Sequence, residues 1–313
     1  MSFASEVKKE ILNIEDMSKC CEKALIFGML QGTTEISIAL GGVKLIIKSP
    51  ILNAIKVMIP YLKEIYGIKI DEGLQTVKNA LGRRYYYLEI KDNVSKIIKD
   101  FSLMPYDEIT NSNSIIKKEC CKNSFVRGMF AVKGSINDPR KQCYHLEINC
   151  KKESVAITIQ NILKEKEIES KIIMKGQNYL LYVKKSEGIS DTLALIGASS
   201  GVFYFEDSRI YRDYVNAANR LTNCDVANAR KTAAACEEQL AMIEVIREYG
   251  YFDKMPVRLQ IIAKMREEYP DSSLEELAEF SDKMFGKMMT KSGISHCMRD
   301  LKNYYQSLKI KEK

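Results

Sequence analysis

The sequence predicts an α+β protein in which a duplicated αββαββα unit is followed by an all-α domain. A short motif occurs twice, at residues 20–30 and again at residues 120–130. Paired strand patterns and helices follow each copy of the motif in the same order. After about Phe205 the strand patterns stop and only helical patterns remain. A chain of 313 residues also exceeds one ordinary core, so we expect more than one domain.

Both copies of the motif have helical periodicity and one stripe of small side chains. The small residues are Cys20, Ala24 and Gly28 in the first copy and Cys120, Ser124 and Gly128 in the second. Small side chains allow helix backbones to approach closely. We therefore expect two homologous helices packed along a pseudo-two-fold seam, each at the head of its own unit.

The first copy is preceded by residues 1–16, which predict an amphipathic helix that docks on the sheet. Its apolar face consists of Phe3, Val7, Ile11 and Ile14. After the first seam helix, alternating apolar residues predict a hairpin over residues 35–49 that turns at Gly41-Gly42. The remaining elements are a helix from Pro50 to Tyr66 ended by Gly67, a hairpin over residues 68–90 and a helix over residues 94–102.

The second copy repeats this order of elements. The predicted elements are a loop over residues 134–140, a strand over 144–149, a helix over 153–166, a hairpin over 170–185 and a helix over 190–197. The copies cover about residues 17–105 and 113–200 of a domain that spans residues 1–205. Because the strands come in hairpin pairs, the pattern argues against a βαβ nucleotide-binding fold.

Residues 206–250 predict a helical linker. Asp225 is a good N-cap for a long alanine-rich helix that ends at Gly250. Amides and cations are dense here, and the candidate contact residues are Asn216, Asn219, Arg220, Asn223 and Lys231. Such residues can bind phosphates or base edges, or they can cap and staple a bend between two helices, and the pattern favours the bend.

Residues 251–313 predict a compact three-helix domain. The first helix runs from Pro256 to Glu268, and the third begins near Ser292. A capping box, Ser272 or Ser273 with Glu275 or Glu276, begins the second helix. The helically spaced inner residues are Leu259, Ile262, Ala263 and Arg266, then Leu274, Leu277 and Ala278, then Ile294, Met298, Leu301 and Tyr305. The connection over residues 281–291 is far longer than the ~3 to 4 residue turn of a compact helix-turn-helix.

Positive charge is concentrated at the end of the chain, where residues 283–313 hold eight Lys or Arg against two acids. This charge is typical of a polyanion-binding surface or of a solvated basic tail. The third helix combines a packing face with a polar, cationic face, which predicts double-stranded DNA as the partner. The candidate base-edge residues are Ser292, Ser295, His296 and Arg299, and the candidate phosphate-binding residues are Lys291 and Lys302. The alternative is a solvated helix face.

Composition disfavours several other classes of protein. No apolar run reaches the ~18 to 20 residues needed to cross a bilayer, and the N-terminal residues have no signal-peptide core, so we expect a cytoplasmic protein. The nine cysteines include two vicinal pairs and no Cys-x-x-Cys, and there are two histidines, which argues against a metal site and against disulfides. We expect no cofactor, no metal, no membrane partner and no small-molecule substrate.

The seam motif resembles the LAGLIDADG motif of homing endonucleases, in which each helix ends in an acid that holds the catalytic metal. Aligned on glycine, residues 26–34 and 126–134 occupy this nonapeptide. The acidic positions of the motif hold Gln31, Thr33, Ala131 and Lys133. A hard cation such as Mg²⁺ needs carboxylate oxygens, so we expect a catalytically inert seam. The alternative is an active nuclease with relocated acids, for instance Glu35 or Asp138.

Two further stretches, VNAANRLTNCDVANARKT at residues 215–232 and KSGISH at residues 291–296, extend a resemblance over the whole chain. With the seam helices, they resemble the WhiA family of bacterial regulators. The resemblance implies an inert LAGLIDADG-like domain fused to a helix-turn-helix domain, and a DNA-binding, nucleoid-associated transcriptional regulator linked to sporulation, cell division or chromosome segregation. The alternative is an interaction platform for a sigma factor or a division protein, with accessory DNA binding.

Overall fold

The computed structural model describes the whole chain except residues 1, 15–16, 40–41, 70–73, 79–81, 83, 111–112, 142, 287 and 312–313. Two compact units are present, residues Met1–Asp213 and Tyr214–Lys313. Strands and helices mix in the first unit and helices make up the second, so the predicted α+β class is confirmed. No helix among the described residues combines the length and apolar character that a bilayer crossing requires.

The first unit contains two copies of the same set of elements after an N-terminal helix, α1 (Phe3–Leu12). The first copy consists of α2 (Lys19–Thr33), β1 (Thr34–Ala39), β2 (Gly42–Ser49), α3 (Leu52–Tyr66), β3 (Gln75–Lys78), β4 (Arg84–Ile90) and α4 (Val94–Asp100). A short 3-10 helix, Ser114–Ile116, precedes the second copy. The second copy consists of α5 (Glu119–Lys133), β5 (Gly134–Ile136), β6 (Leu146–Cys150), α6 (Glu153–Lys164), β7 (Lys171–Lys175), β8 (Asn178–Val183) and α7 (Ser186–Leu195).

Each copy forms an antiparallel four-stranded sheet, with strand orders β1-β2-β4-β3 and β5-β6-β8-β7. The equivalent order confirms the duplication that the repeated motif predicted. Alternation along the central strands directs one face inward, where Leu45 and Ile47 of β2 and Leu146 and Ile148 of β6 are completely buried. The inner faces of both sheets and the helices share one continuous hydrophobic core.

The seam is the contact between α2 and α5. The two helix backbones approach so closely there that only glycine fits at Gly28 and Gly128. A Cβ at Gly28 would lie 2.3 Å from the carbonyl oxygen of Phe125, and a Cβ at Gly128 would lie 2.2 Å from that of Leu25. Neither carbonyl can move without disturbing its own helix. The predicted pair of homologous helices packed through small residues is therefore confirmed.

Two local predictions in the first unit are wrong. Residues 134–140 were predicted as a loop, but β5 occupies Gly134–Ile136 and pairs with β6. The N-terminal helix was expected to dock on the sheet, but it packs mainly against helices α3 and α5 and ends before Ile14. Helix α1 contacts α3 of the first copy and α5 and β5 of the second, and β5 is held by its pairing with β6, so in both cases non-local contacts decide the outcome. Of the hairpin turn predicted at Gly41-Gly42, residue 41 lies outside the described residues.

A single long helix, α8, spans Ser199–Glu248. Asp225 lies inside it, so the predicted N-cap at that residue is wrong, and no bend separates two helices there. Extending a helix adds one hydrogen bond per residue fixed, whereas a new start requires a costly nucleus, so the alanines around Asp225 favour continuation. The helix ends as predicted at Gly250, where φ is +69° and the Tyr251 N–H donates to the Ile246 carbonyl.

The second unit adds a short 3-10 helix (Phe252–Lys254), α9 (Val257–Glu268), α10 (Leu274–Phe285) and α11 (Lys291–Lys311) to the end of α8. The capping box is confirmed: the Glu276 N–H donates to Ser273 Oγ at 3.2 Å, and the Ser273 N–H donates to Glu276 Oε2 at 2.7 Å. The core contains Ile243, Ile246, Leu259, Ile262, Leu277, Ile294, Cys297 and Leu301.

Arg266, which the helical spacing placed on the inner stripe of α9, is 1% exposed. Its guanidinium donates to Gln239 Oε1 at 2.9 Å and to the Ser272 carbonyl at 2.5 Å. It also donates to the Tyr269 carbonyl at 3.2 Å. This side chain therefore binds together α8, the end of α9 and the connection to α10.

The connection between α10 and α11 is shorter than predicted. Helix α10 continues to Phe285, so residues 281–285 are helical and only residues 286–290 connect the helices. Gly286 ends α10 at a φ of +66°, which favours glycine. Ser281 Oγ donates to the Ala278 carbonyl at 2.6 Å and accepts the Met289 N–H at 2.7 Å, which holds the connection against α10.

Candidate nucleic-acid interface

Helix α11 has one buried and one exposed side. Thr290 Oγ1 accepts the Gly293 N–H at 3.2 Å and caps the start of the helix. Ile294, Cys297, Met298 and Leu301 are buried against α9 and α10. The six predicted contact residues are all exposed and lie on the opposite side: Lys291, Ser292, Ser295, His296, Arg299 and Lys302. The structure therefore brings these six side chains together on one surface, which we call the α11 face.

Three members of the α11 face have partners within the second unit. Lys291 Nζ lies 3.0 Å from Glu275 Oε2, and Lys302 Nζ lies 2.6 Å from Glu238 Oε1. His296 Nδ1 lies 2.9 Å from Asp300 Oδ2. These pairs are exposed, and exposed ion pairs typically contribute only about 0.2–1 kcal/mol. A phosphate group could therefore replace the carboxylate at either lysine.

The other three members of the α11 face are unengaged. Within the part of the chain that the structure describes, the side chains of Ser292, Ser295 and Arg299 have no hydrogen-bond or ion-pair partner. A guanidinium presents planar pairs of donors that match guanine O6 and N7, and serine hydroxyls can bond to base edges of either kind. This side of α11 therefore has the donors and acceptors that base reading requires.

The five candidate residues of the predicted linker lie on α8 and are all exposed. Asn216, Asn219, Arg220 and Asn223 follow the three- and four-residue spacing of one helix side, and Lys231 returns to that side two turns later. Because α8 is continuous, the interpretation that these amides staple a bend is wrong. The side chains form a solvent-facing polar and cationic stripe, which we call the α8 stripe.

The degenerate metal positions lie at the C-terminal ends of the seam helices. Gln31 is buried and its Nε2 donates to the Phe101 carbonyl at 2.7 Å and to the Ser102 carbonyl at 3.2 Å. Thr33 Oγ1 donates to the Met29 carbonyl at 2.7 Å within its own helix. Ala131 is completely buried. Burial lowers the pKa of Lys133, and the nearby charge of Lys151 lowers it further. These positions supply packing, internal hydrogen bonds and a cation, and no carboxylate.

The two acids that could have relocated a nuclease centre are both paired with cations. Glu35 Oε1 lies 3.9 Å from Lys151 Nζ. Asp138 accepts two hydrogen bonds from the Arg140 guanidinium, at 3.0 Å and 2.7 Å, and this pairing lowers the pKa of Asp138. An open cleft of about 880 Å³ lies beside Gln31 and Glu35, and Lys151 and Lys152 line it. Four acids, Glu35, Asp107, Glu108 and Glu153, line the same cleft, but none of them occupies an acidic position of the motif.

At the N-terminal ends of the same two helices, the structure gathers four cysteines that the sequence argument set aside. The sulfur atoms of Cys20, Cys21, Cys120 and Cys121 all lie within 4.8 Å of one another. The pKa of Cys20 is lowered to about 7 by hydrogen bonds from the Ser18 hydroxyl and the Cys121 thiol. The vicinal pairs lack the local spacing of known zinc motifs. The signal that could have found them is the repeat itself, which places both pairs at equivalent positions of paired helices.

Two family models match the chain in succession. The WhiA LAGLIDADG-like domain matches residues 122–215, and the WhiA C-terminal HTH domain matches residues 218–305. The second match contains all of the α11 face and every residue of the α8 stripe except Asn216.

Relatives with similar sequences extend over the whole chain. The protein named "Probable cell division protein WhiA" of Oceanobacillus iheyensis is 32% identical over 99% of this chain and 98% of its own length. The protein of the same name from Bacillus cereus (strain B4264) is 33% identical over 100% of this chain and 98% of its own length.

A solved structure shares the fold. The crystal structure of full-length DUF199/WhiA from Thermatoga maritima is 22% identical, has a TM-score of 0.59, and is matched over 98% of this chain and 99% of that chain. At this identity the similarity supports the architecture alone.

Proposed function

Because the chain belongs to the WhiA family, we propose that it is a DNA-binding transcriptional regulator whose α11 is the recognition helix of its helix-turn-helix domain. The observation that carries this proposal is the α11 face, where Arg299 and two serines are exposed and unengaged within the described residues. A recognition helix must pack one side on its own domain and place polar, cationic groups of the other side in the major groove. Helix α11 has both a buried packing side and an exposed polar, cationic side.

The residues of the α11 face divide into two roles. Arg299, Ser292, Ser295 and His296 contact base edges and provide sequence preference. Lys291 and Lys302 exchange their carboxylate partners for phosphates and fix the register of the helix on the duplex. The connection over residues 286–290, held by Ser281, keeps α10 beside the start of α11, as a helix-turn-helix requires.

The α8 stripe is a second candidate contact for the DNA backbone. Its amides and the cations Arg220 and Lys231 are solvent-facing, and none has a side-chain partner among the described residues. Asn and Gln amides and arginine are common donors to phosphate oxygens. We place this stripe on phosphates rather than on bases because no feature of it selects a base pair.

The first unit serves as a catalytically inert platform for DNA or protein. The positions at which the LAGLIDADG motif carries acids hold Gln31, Thr33, Ala131 and Lys133 here, and the acids Glu35 and Asp138 are paired with cations. Without a carboxylate at any of these four positions, the seam helices lack the ligands that Mg²⁺ requires for phosphodiester cleavage.

The cellular role that we propose is transcriptional control of cell division, sporulation or chromosome segregation by a cytoplasmic, nucleoid-associated protein. The relatives that match the full chain are named as probable cell division proteins. A helix-turn-helix domain connects that role to DNA.

A second candidate function is a protein-interaction platform with accessory DNA binding. In the first unit, Phe203, Ile210 and Tyr211 lie on one side of α8 and are 71%, 63% and 70% exposed. Exposed large apolar groups on one helix side favour a protein partner, such as a sigma factor or a component of the division machinery. Tight binding of a purified sigma factor at a salt concentration that strips DNA, abolished by Phe203→Glu, would favour this function over the first.

The first proposal is tested by selecting bound genomic fragments with the full chain and measuring affinity for the recovered site. Arg299→Ala should lose discrimination between this site and a scrambled duplex. Arg258→Ala provides the matched control, because Arg258 is an exposed arginine on α9 of the same unit. Equal discrimination by the Arg299→Ala chain and the unaltered chain would refute α11 as the recognition helix.

A further inference from the structure

We propose that Cys20, Cys21, Cys120 and Cys121 form a tetrathiolate site for one Zn²⁺ ion at the N-terminal end of the seam. The site lies at the opposite end of α2 and α5 from the degenerate metal positions. It uses residues that belong neither to the α11 face nor to the degenerate metal positions.

The geometry fits one tetrahedral ion. Zinc–sulfur bonds of about 2.3 Å place the sulfurs of a regular tetrahedron about 3.8 Å apart. The four sulfurs here lie within 4.8 Å of one another, and Cys120 and Cys121 are already at 4.0 Å. The largest sulfur–sulfur distance therefore exceeds the tetrahedral spacing by only about 1 Å, a difference that side-chain rotation can remove. A cluster of several irons holds its cysteines farther apart, so the spacing favours a mononuclear site.

The duplication explains why four ligands meet without a local motif. Each vicinal pair lies in the first turn of a seam helix, and the pseudo-two-fold seam brings the two first turns together. Each sulfur of one vicinal pair lies within 4.8 Å of both sulfurs of the other pair, so the contacts cross the seam in both directions. Each copy of the unit thus contributes two ligands, and the ion would join the copies.

The surroundings suit an anionic metal centre. Four thiolates around Zn²⁺ carry a net charge of −2, and metal binding releases the thiol protons to solvent. Both pairs lie at helix N-termini, where unpaired N–H groups and the helix dipole favour negative charge. The Ser18 hydroxyl lies 3.3 Å from Cys20 Sγ and can donate a hydrogen bond to a thiolate there.

Access and burial are divided between the ligands. Cys21 and Cys121 are buried, whereas Cys120 is exposed and Cys20 is half-buried. Cys120 and the half-buried Cys20 give an ion a path from solvent, and the buried Cys21 and Cys121 anchor it between the helices. A tetrathiolate site of this kind is structural, because all four coordination positions are filled by protein and none is open to a substrate.

The test is titration of the reduced, full-length chain with Co²⁺, which reports tetrahedral thiolate coordination through intense visible absorption and a thiolate-to-cobalt charge-transfer band. We expect one Co²⁺ per chain, displaced by one Zn²⁺. Cys20→Ser or Cys120→Ser alone should reduce the charge-transfer intensity, and the double variant Cys20→Ser/Cys120→Ser should abolish it. Losing an outer-shell partner typically weakens metal binding about 10- to 100-fold, so losing a ligand should weaken zinc binding by at least about 100-fold.

Two controls keep the test decisive. Cys143→Ser and Cys224→Ser remove exposed cysteines outside the cluster and should leave the spectrum unchanged. In the unaltered chain, Zn²⁺ should protect Cys20 and Cys120 from alkylation while Cys143 and Cys224 react, as read by peptide mass spectrometry. This second readout needs no variant to fold.

Three results would overturn the proposal. They are a reduced chain that shows no tetrahedral thiolate spectrum, a spectrum that is unchanged in the double variant Cys20→Ser/Cys120→Ser, and alkylation of Cys20 and Cys120 that is unaffected by Zn²⁺. A disulfide within the cluster of the air-exposed chain, together with no metal uptake after reduction, would also overturn it and would identify a redox-active group of thiols instead.

Discussion

The C-terminal end of the seam and the α11 face both carry polar side chains, but they use them differently. At the seam, the side chains of Gln31 and Thr33 donate hydrogen bonds to backbone carbonyls of their own unit. On α11, Arg299 and two serines face solvent without side-chain partners among the described residues. A buried polar group that is already bonded stabilises the fold, whereas an exposed group without a partner is available to a ligand. The comparison teaches that the polar side chains at the seam are satisfied within the fold, whereas those of the α11 face are available to a ligand.

The largest expected effect comes from breaking the seam itself. Gly128→Ala places a Cβ 2.2 Å from the Leu25 carbonyl oxygen, so the helices must separate. We expect the first unit to lose about 3 kcal/mol or more in its free energy of unfolding, measured by urea denaturation. Gly188→Ala on α7 is the control, because its Cβ would meet only side-chain methyls, at 3.2 Å and 3.4 Å. Equal losses in the two variants would mean that the seam is not the scaffold.

The next-largest effect is on the stability of the second unit and comes from its buried arginine, Arg266. Arg266→Ala leaves the carbonyls of Ser272 and Tyr269 without their buried donor, and unsatisfied buried groups cost about 1–3 kcal/mol each. We expect the second unit to lose about 2–3 kcal/mol, measured by thermal unfolding of residues 214–313. Arg258→Ala, at an exposed site on the same helix, should change stability by less than about 0.5 kcal/mol. A stable Arg266→Ala variant would contradict a structural role for this arginine.

Arg299→Ala should separate recognition from stability. A good bidentate contact to a base is worth about 1–3 kcal/mol of discrimination, so we expect affinity for the selected site to fall about 5- to 150-fold. Binding to a scrambled duplex should change much less. Thermal unfolding should be unaffected, because the Arg299 side chain is exposed. A loss that is the same for both duplexes would reassign Arg299 to the phosphates.

The smallest effect is that of the phosphate contacts. Lys291→Ala and Lys302→Ala should each weaken binding to all sequences alike and reduce the slope of log affinity against log salt by about 0.9. Their partners Glu275 and Glu238 permit a sharper version of the experiment. Glu238→Gln frees Lys302 and should strengthen binding slightly. An unchanged salt slope in both lysine variants would place the phosphate contacts on another surface.

The sequence was sufficient to predict the architecture because the duplication repeats the same order of predicted elements at two places in the chain. Glycines at equivalent positions predicted the close seam, and the Ser273 capping box predicted the start of α10. The six residues of the α11 face could be named because helical spacing and charge coincide there. Their contacts with DNA, and the division of the chain at residues 205 and 250, remain predictions.

The errors have physical causes that local sequence does not contain. Asp225 is a good cap in isolation, but the helix already running through it continues at little cost. The connection after α10 was overestimated because residues 281–285 have no strong helix signal and are held in α10 by the core and by Ser281. The cysteine cluster was missed because its two halves are a hundred residues apart and meet only through the seam.

The central claim is that DNA contact lies in the second unit, and salt-dependent binding tests it most directly. The fragment of residues 214–313 retains every buried residue of the terminal core, so it can be compared with residues 1–213 and with the intact chain. Affinity for genomic fragments should be measured over a range of salt concentrations with Mg²⁺ present. We predict that residues 214–313 retain most of the salt slope of the intact chain and that no DNA is cut. If residues 1–213 carry the slope instead, the duplicated unit is the DNA-binding surface and the account is contradicted.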